Sequence, residues 1–232
     1  MSVAWPDLPA AYHGVWQRSL YAEPSAPPHA QLDTTTQVIW LQTSSWHADL
    51  RLPAERLDFT GVDGLADCSR EQLVWLARLT AFAGLTQVEG ELCTWHRLVD
   101  LAPSLERDVG AMRFLEDGAL EERHPHGHYL EHWERLAGTG EELLILDDRK
   151  LPTWLQLGEH AIAIAHRPPG PDIDALFTPP ERLDDDTLGW RASLRLDYLR
   201  RDADGWRVTL STHPWREGLI CRHPVMTEGH TS

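Results

Sequence analysis

Apolar and polar residues alternate along much of the chain, a pattern typical of β-strands that bury one face. Segment 46–52 is the clearest case. Its apolar face comprises Trp46, Ala48, Leu50 and Leu52, and its polar face comprises His47, Asp49 and Arg51. Further strand segments lie at 37–42, 85–88, 92–101, 112–115, 142–146, 152–157, 160–166, 192–200 and 206–210. Short polar and Gly-containing turns separate many of them, so we predict an all-β, mainly antiparallel protein.

Helical signals are few. Ser69 and Gln72 have the spacing of a capping box, and Gly84 supplies a stop signal. We predict one short amphipathic helix between Ser69 and Gly84, and a second short helix within 173–187. The Pro-rich stretch 19–36 is predicted to be an exposed loop.

Part of the chain occurs twice. Trp-Leu-Gln at 40–42 reappears at 154–156, each time shortly before another strand segment. The repeat is too long for a solenoid, and barrels are favoured because closure removes exposed strand edges. We therefore predict two similar β-barrel units and a mobile tail, at 14–130, 131–222 and 223–232.

Composition narrows the class of protein. The 232 residues are 42% hydrophobic and include 11 Trp, enough to form a substantial core. The formal charge of −15 disfavours nucleic acid and anionic membrane surfaces as partners. Three cysteines without a Cys-x-x-Cys pair, and a first segment without an apolar signal region, are typical of a cytoplasmic protein. No signal specifies an oligomeric state.

Several segments resemble a poorly characterised family of bacterial and fungal proteins, the Hri1-like family. The resemblance lies in segments 33–42, 48–53, 82–84 and 93–97, with a weaker match at Trp206 and 211–218. It implies a pair of lipocalin-like β-barrels and a ligand cavity, without an established reaction or cofactor.

The candidate ligand-binding residues belong to the first unit and are Trp40, Asp49, Arg51, Trp95, His96 and Arg97. Arg51 would hold a carboxylate, the indoles would form flat walls, and His96 would exchange a proton. This hypothesis requires His47, Asp49 and Arg51 to face a barrel cavity. The preferred interpretation of the strand is the opposite, with its apolar face in the core and its charged face outside.

Histidines His124, His126 and His128 would share one face of an extended segment and have the spacing of a metal site. Pro125 and Gly127 interrupt that segment, which favours a surface loop without a tightly bound metal.

Two functions follow from this sequence. The first is binding of a small apolar or amphipathic molecule, anionic molecules included, in a barrel cavity. The second is an isomerase, lyase or hydrolase that uses His and carboxylate pairs at the same cavity, with its catalytic residues unknown. The chain has no phosphate-binding loop, nucleophile elbow or His-Glu-x-x-His motif.

Overall fold

The computed structural model describes residues 8–24, 31–138 and 140–224, and two antiparallel sheets contain the strands of these ranges. The strands of the first sheet are β1 (Gly14–Glu23), β2 (Gln31–Asp33), β3 (Gln37–Gln42), β4 (Trp46–Leu52), β5 (Thr80–Glu89), β6 (Leu92–Asp100), β7 (Asp108–Phe114), β8 (Leu120–Arg123) and β9 (Leu130–Ala137). Pairing of β1 with β9 closes an 8-strand barrel, and β2 pairs with β1 beside it.

The second sheet has six strands whose order in space follows the chain. They are β10 (Glu142–Leu146), β11 (Pro152–Leu157), β12 (His160–Ala165), β13 (Arg195–Asp202), β14 (Gly205–Ser211) and β15 (Ile220–Cys221). Within the described ranges β10 and β15 do not pair, so this sheet is open. The prediction of a mainly antiparallel all-β protein is confirmed. The change from one sheet to the next falls between Ala137 and Glu142, later than the predicted boundary after 130.

Three short helices lie outside the sheets: α1 (Arg70–Ala77), α2 (Asp174–Phe177) and α3 (Asp185–Ala192). Ser69 and Gln72 form the predicted capping box of α1. The helix ends at Ala77 rather than near Gly84, because β5 already begins at Thr80. Single 3₁₀ turns lie at Ala10–Tyr12, Leu65–Asp67, Pro180–Arg182 and Pro214–Arg216.

The predicted loop at 19–36 is partly wrong, since β1 continues to Glu23 and β2 occupies Gln31–Asp33. Pairing with β9 and β2 extends β1 beyond what the local sequence indicates. Residues 25–30, and most of the predicted tail at 223–232, lie outside the described ranges.

No helix in the described part of the chain is long and apolar enough to cross a membrane.

The barrel buries both of its surfaces along β3 to β5. Its interior contains Trp16, Val38, Trp40, Cys93, Trp95, Met112, Leu120 and Trp133. Its outer face there contributes Ile39, Leu41, Ala48, Leu50, Ala81 and Ala83 to a core shared with Leu155, Leu157, Ile162, Ile164 and Leu196 of the second sheet. The preferred interpretation of segment 46–52 is therefore wrong for its charged face. The apolar face packs on the second sheet, and the polar face points into the barrel.

Candidate functional site

Strand alternation brings four of the six predicted site residues together inside the barrel. Trp40 on β3 lies directly opposite Asp49 on β4, and Arg51 is two residues further on the same face. These side chains and Trp95 line a small cavity together with Phe82, Asp108, Glu122 and Trp133. Its volume is about 10 Å³, room for about one water molecule. A larger ligand does not fit inside the barrel in this conformation.

Arg51 is held by two carboxylates. Its guanidinium donates to Asp49 at 2.9 and 3.3 Å and to Glu131 at 3.2 Å. Glu131 also accepts from Arg18 at 2.7 Å. Burial alone would lower the pKa of Arg51, but these carboxylates raise it well above its ordinary value. Because its donors are already engaged, Arg51 is poorly placed for the expected role of holding a ligand carboxylate.

Glu122 differs from the other carboxylates of the interior because its partners are neutral. Tyr129 Oη donates to it at 2.8 Å and Trp133 Nε1 at 3.1 Å. No described Arg, Lys or His forms an ion pair with it, although it is only 4% exposed. Burial, followed by Glu131 and Asp108, raises its pKa well above the ordinary value. Gly110 makes room for this side chain, since a Cβ there would lie 2.8 Å from the Glu122 carboxyl.

A second, larger cleft of about 330 Å³ opens at the mouth of the barrel. Its walls include Trp95, His96, Arg97, Asp100, Asp108, His124 and Tyr129, together with residues of the β6–β7 loop. Trp95 and Asp108 line both this cleft and the interior cavity. The walls of the two spaces therefore share one indole and one carboxylate.

Arg97 lies at this mouth because of a β-bulge. Gly84 pairs with Arg97 while Ala83 pairs with Val99, so Leu98 is the extra residue of β6. A Cβ on Gly84 would lie 1.9 Å from the backbone oxygen of His96, so glycine is required for the close approach. The Arg97 guanidinium stacks 3.5 Å over the Phe82 ring.

Carboxylates fix Arg97 in that position. It donates to Asp108 at 2.8 and 2.6 Å and to Asp100 at 3.3 Å. Burial raises the pKa of Asp100, and Arg97 opposes that effect. The mouth thus presents a preorganised ion pair beside the Trp95 indole.

The histidines near the barrel have different roles. His96 lines the mouth with its Nε2 3.2 Å from Gln87 Oε1, and burial followed by Arg107 lowers its pKa. His47 is fully buried, and desolvation lowers its pKa to about 3. Its Nδ1 lies 3.0 Å from Thr86 Oγ1, which in turn donates to Gln42 Oε1 at 2.7 Å. His47 is therefore a neutral interior group at pH 7.

The segment with His124, His126 and His128 forms the largely exposed turn between β8 and β9. The His124 and His128 rings stack with centroids 4.3 Å apart. Among the described residues, no group of three or more His, Cys, Asp or Glu side chains is arranged to hold a metal ion.

All six predicted site residues line one of the two adjoining spaces, and Trp95 lines both. Sequence reasoning missed Phe82, Asp108, Glu122 and Tyr129. Glu122 lies in a strand of four residues, where alternation gives too few positions to fix the inward face, and Asp108 is the first residue of β7, ahead of the predicted strand segment at 112–115.

A third cleft lies on the second sheet. It measures about 610 Å³ and is lined by Leu143, Gln156, Trp206, Ile220, Cys221, His223 and neighbouring residues. None of the six predicted residues lines it.

No family model, curated protein or solved structure matches this chain.

Proposed function

We propose that this protein binds a small amphipathic molecule at the mouth of its closed barrel. The observation that carries the proposal is the adjoining pair of spaces, with Trp95 and Asp108 in both walls. The mouth cleft of about 330 Å³ is within the range of small-molecule sites, and its flat indole and fixed polar groups are typical of them. The resemblance to the Hri1-like family and the lipocalin-like description remain predictions beside it.

The geometry changes the expected mode of binding. An apolar ligand enclosed in the barrel would have to displace the ion pairs and indoles that fill the interior. Binding at the mouth requires no such rearrangement, because the apolar part of the ligand can stack on Trp95 while its polar part meets Asp108 or Tyr129.

Calorimetric titration tests this proposal with three probes that share one ring: 2-phenylethylammonium, 2-phenylethanol and 3-phenylpropionate. We expect saturable binding of at least one probe to the full chain, and its loss in Trp95→Leu. The matched control is Trp206→Leu, which changes an indole of the second-sheet cleft and should retain binding. Absence of binding by all three probes, or equal binding by Trp95→Leu, would contradict the proposal.

An enzymatic function at the same mouth has one specific observation in its favour. Burial raises the pKa of Glu122, as in a general acid, and Tyr129, whose hydroxyl donates to Glu122, connects it to the wall of the mouth. His132 pairs with Glu121 at 3.3 Å, His13 with Glu142 at 3.7 Å and His166 with Asp147 at 3.8 Å, and none of these six residues lines the mouth or the interior cavity. Proton NMR spectra of the bound probes over a day distinguish the two functions, since an enzyme would convert a probe and a binding protein would leave it intact.

A further inference from the structure

The interior cavity has more acidic than basic groups in its wall. Asp49, Asp108 and Glu122 line it, against the single guanidinium of Arg51. Asp49 is paired with Arg51, and Asp108 is paired with Arg97 from the mouth. Glu122 is the carboxyl in this wall that has no cationic partner among the described residues.

The same cavity is walled by indoles. Trp40 contacts Trp95 and Trp133 edge to face, with ring centroids 5.8 and 5.6 Å apart. Aromatic rings attract cations, most strongly where water is excluded. A buried carboxyl without a cationic partner takes up a proton or binds a cation. The wall therefore combines two independent features that favour a cation.

We infer that the ligand of the barrel is a primary amine whose ammonium group enters the interior cavity beside Glu122, while the rest of the molecule occupies the mouth cleft. This inference rests on the proposed function of that mouth. A cavity of about 10 Å³ is comparable in size with a water molecule, so it suits an unsubstituted ammonium group and excludes a trimethylated one. The formal charge of −15 also favours approach of a cation over that of an anion.

Binding of this kind is coupled to a proton. The titratable and charged groups around Glu122 are Asp49, Arg51, Cys93, Asp108, Tyr129 and Glu131. Burial and the neighbouring carboxylates raise the pKa of Glu122, so its carboxyl keeps a proton to higher pH than an exposed glutamate does. The entering ammonium group favours the ionised form of Glu122, and a proton that the carboxyl holds is released to the solvent. Affinity should therefore rise with pH as long as the free protein holds that proton, up to the pH at which the amine loses its own charge.

The test is calorimetric titration of the full chain with 2-phenylethylammonium, its trimethylated form, 2-phenylethanol and 3-phenylpropionate. Titration in two buffers of different ionisation enthalpy measures the protons released. We expect the primary ammonium to bind about tenfold or more tightly than each of the other three, with release of up to one proton per ligand.

Two neighbouring carboxyls provide a matched pair of variants. Glu122→Gln removes the interior acid and should abolish both the preference for the amine and the release of the proton. Glu121→Gln makes the same chemical substitution at the neighbouring position, but Glu121 pairs with Arg113 and Arg123 away from the cavity, so this variant should retain both the preference and the proton release. The ranking of the four ligands by the unmodified protein does not depend on whether either variant folds.

The outcomes separate the two proposals. If 2-phenylethanol or 3-phenylpropionate binds in a Trp95-dependent manner and the amine has no advantage, the mouth is a ligand site and the amine inference is wrong. Equal losses of the preference for the amine and of proton release in Glu121→Gln and Glu122→Gln would also contradict the amine inference. If none of the ligands binds, the proposed function is wrong as well.

Discussion

The barrel and the second sheet share a local framework but place different residues on it. Trp40 donates to Gln42 at 3.2 Å in β3, and Trp154 donates to Gln156 at 3.2 Å in β11. A strand follows each of them, and then a helix capped by Ser69 or Asp184. Both regions therefore place a Trp–Gln hydrogen bond, a following strand and a capped helix in the same order along the chain.

The difference lies in the strand after the Trp-Leu-Gln segment. In β4 the positions cross-strand from Gln42, Trp40 and Val38 are His47, Asp49 and Arg51. In β12 the positions cross-strand from Gln156 and Trp154 are Ala161 and Ala163. The charged set lies in a closed barrel with ionic partners, whereas the alanines lie in an open sheet. Closure makes a polar interior possible, because only the enclosed strands supply partners on every side.

The largest expected difference is in the stability lost when each of the two equivalent tryptophans, Trp40 and Trp154, is replaced by alanine. Trp40→Ala should destabilise the protein by about 3–5 kcal/mol, because Trp16, Trp95 and Trp133 surround it and cannot collapse into the space. Trp154→Ala should cost less, since Trp154 packs against Trp206 and His223, which line an open cleft. Urea unfolding followed by circular dichroism measures the loss of stability in both variants. An equal or larger loss in Trp154→Ala would contradict the expected difference between the two regions.

Ion pairs of the two regions should also differ in how much they contribute to the free energy of unfolding. Arg18→Ala should lower the free energy of unfolding by about 3 kcal/mol, because it removes a partner of Glu131, which is 2% exposed. Arg51 still contacts Glu131 and limits the loss. Arg207→Ala removes the exposed pairs with Asp202 and Asp204 on the second sheet and should cost below about 1 kcal/mol. Chemical denaturation of both variants gives the difference, and similar losses would show that barrel closure does not strengthen the ion pairs.

The smallest expected difference between the two regions is in the pH dependence of stability, which both should share. Burial lowers the pKa of His47 to about 3 and that of His213, on the second-sheet side, to about 4. The unfolded chain therefore takes up these protons first, and stability falls as pH decreases below about 6.5. Each histidine contributes at most about 1.4 kcal/mol per pH unit.

Stability measured between pH 7 and 4 tests this dependence. His47→Asn and His213→Gln should each flatten the profile, and the exposed His126→Gln is the control. An unchanged slope in His47→Asn would mean that His47 is not held neutral inside the barrel.

The sequence predicts most of the architecture because the alternation of 46–52 and the capping box at Ser69 are local signals. It also places the candidate residues of β3, β4 and β6 on strands, since each of these strands has at least six residues. It does not predict which face of β4 is interior, because both faces are buried. The apolar face packs against the second sheet, and alternation within β4 does not show that contact. Glu122 escapes prediction since it lies in a strand of four residues and becomes distinctive only through Tyr129 and Trp133.

Nuclear magnetic resonance of the indole groups tests most directly the central claim, that the barrel mouth rather than the second sheet is the ligand site. The protein is labelled with ¹⁵N, its indole N–H signals are assigned by Trp→Phe variants, and 2-phenylethylammonium is titrated in. We expect the signals of Trp95 and Trp133 to shift in a saturable manner while those of Trp154 and Trp206 stay in place. Shifts at Trp154 and Trp206 without a shift at Trp95 would contradict the account.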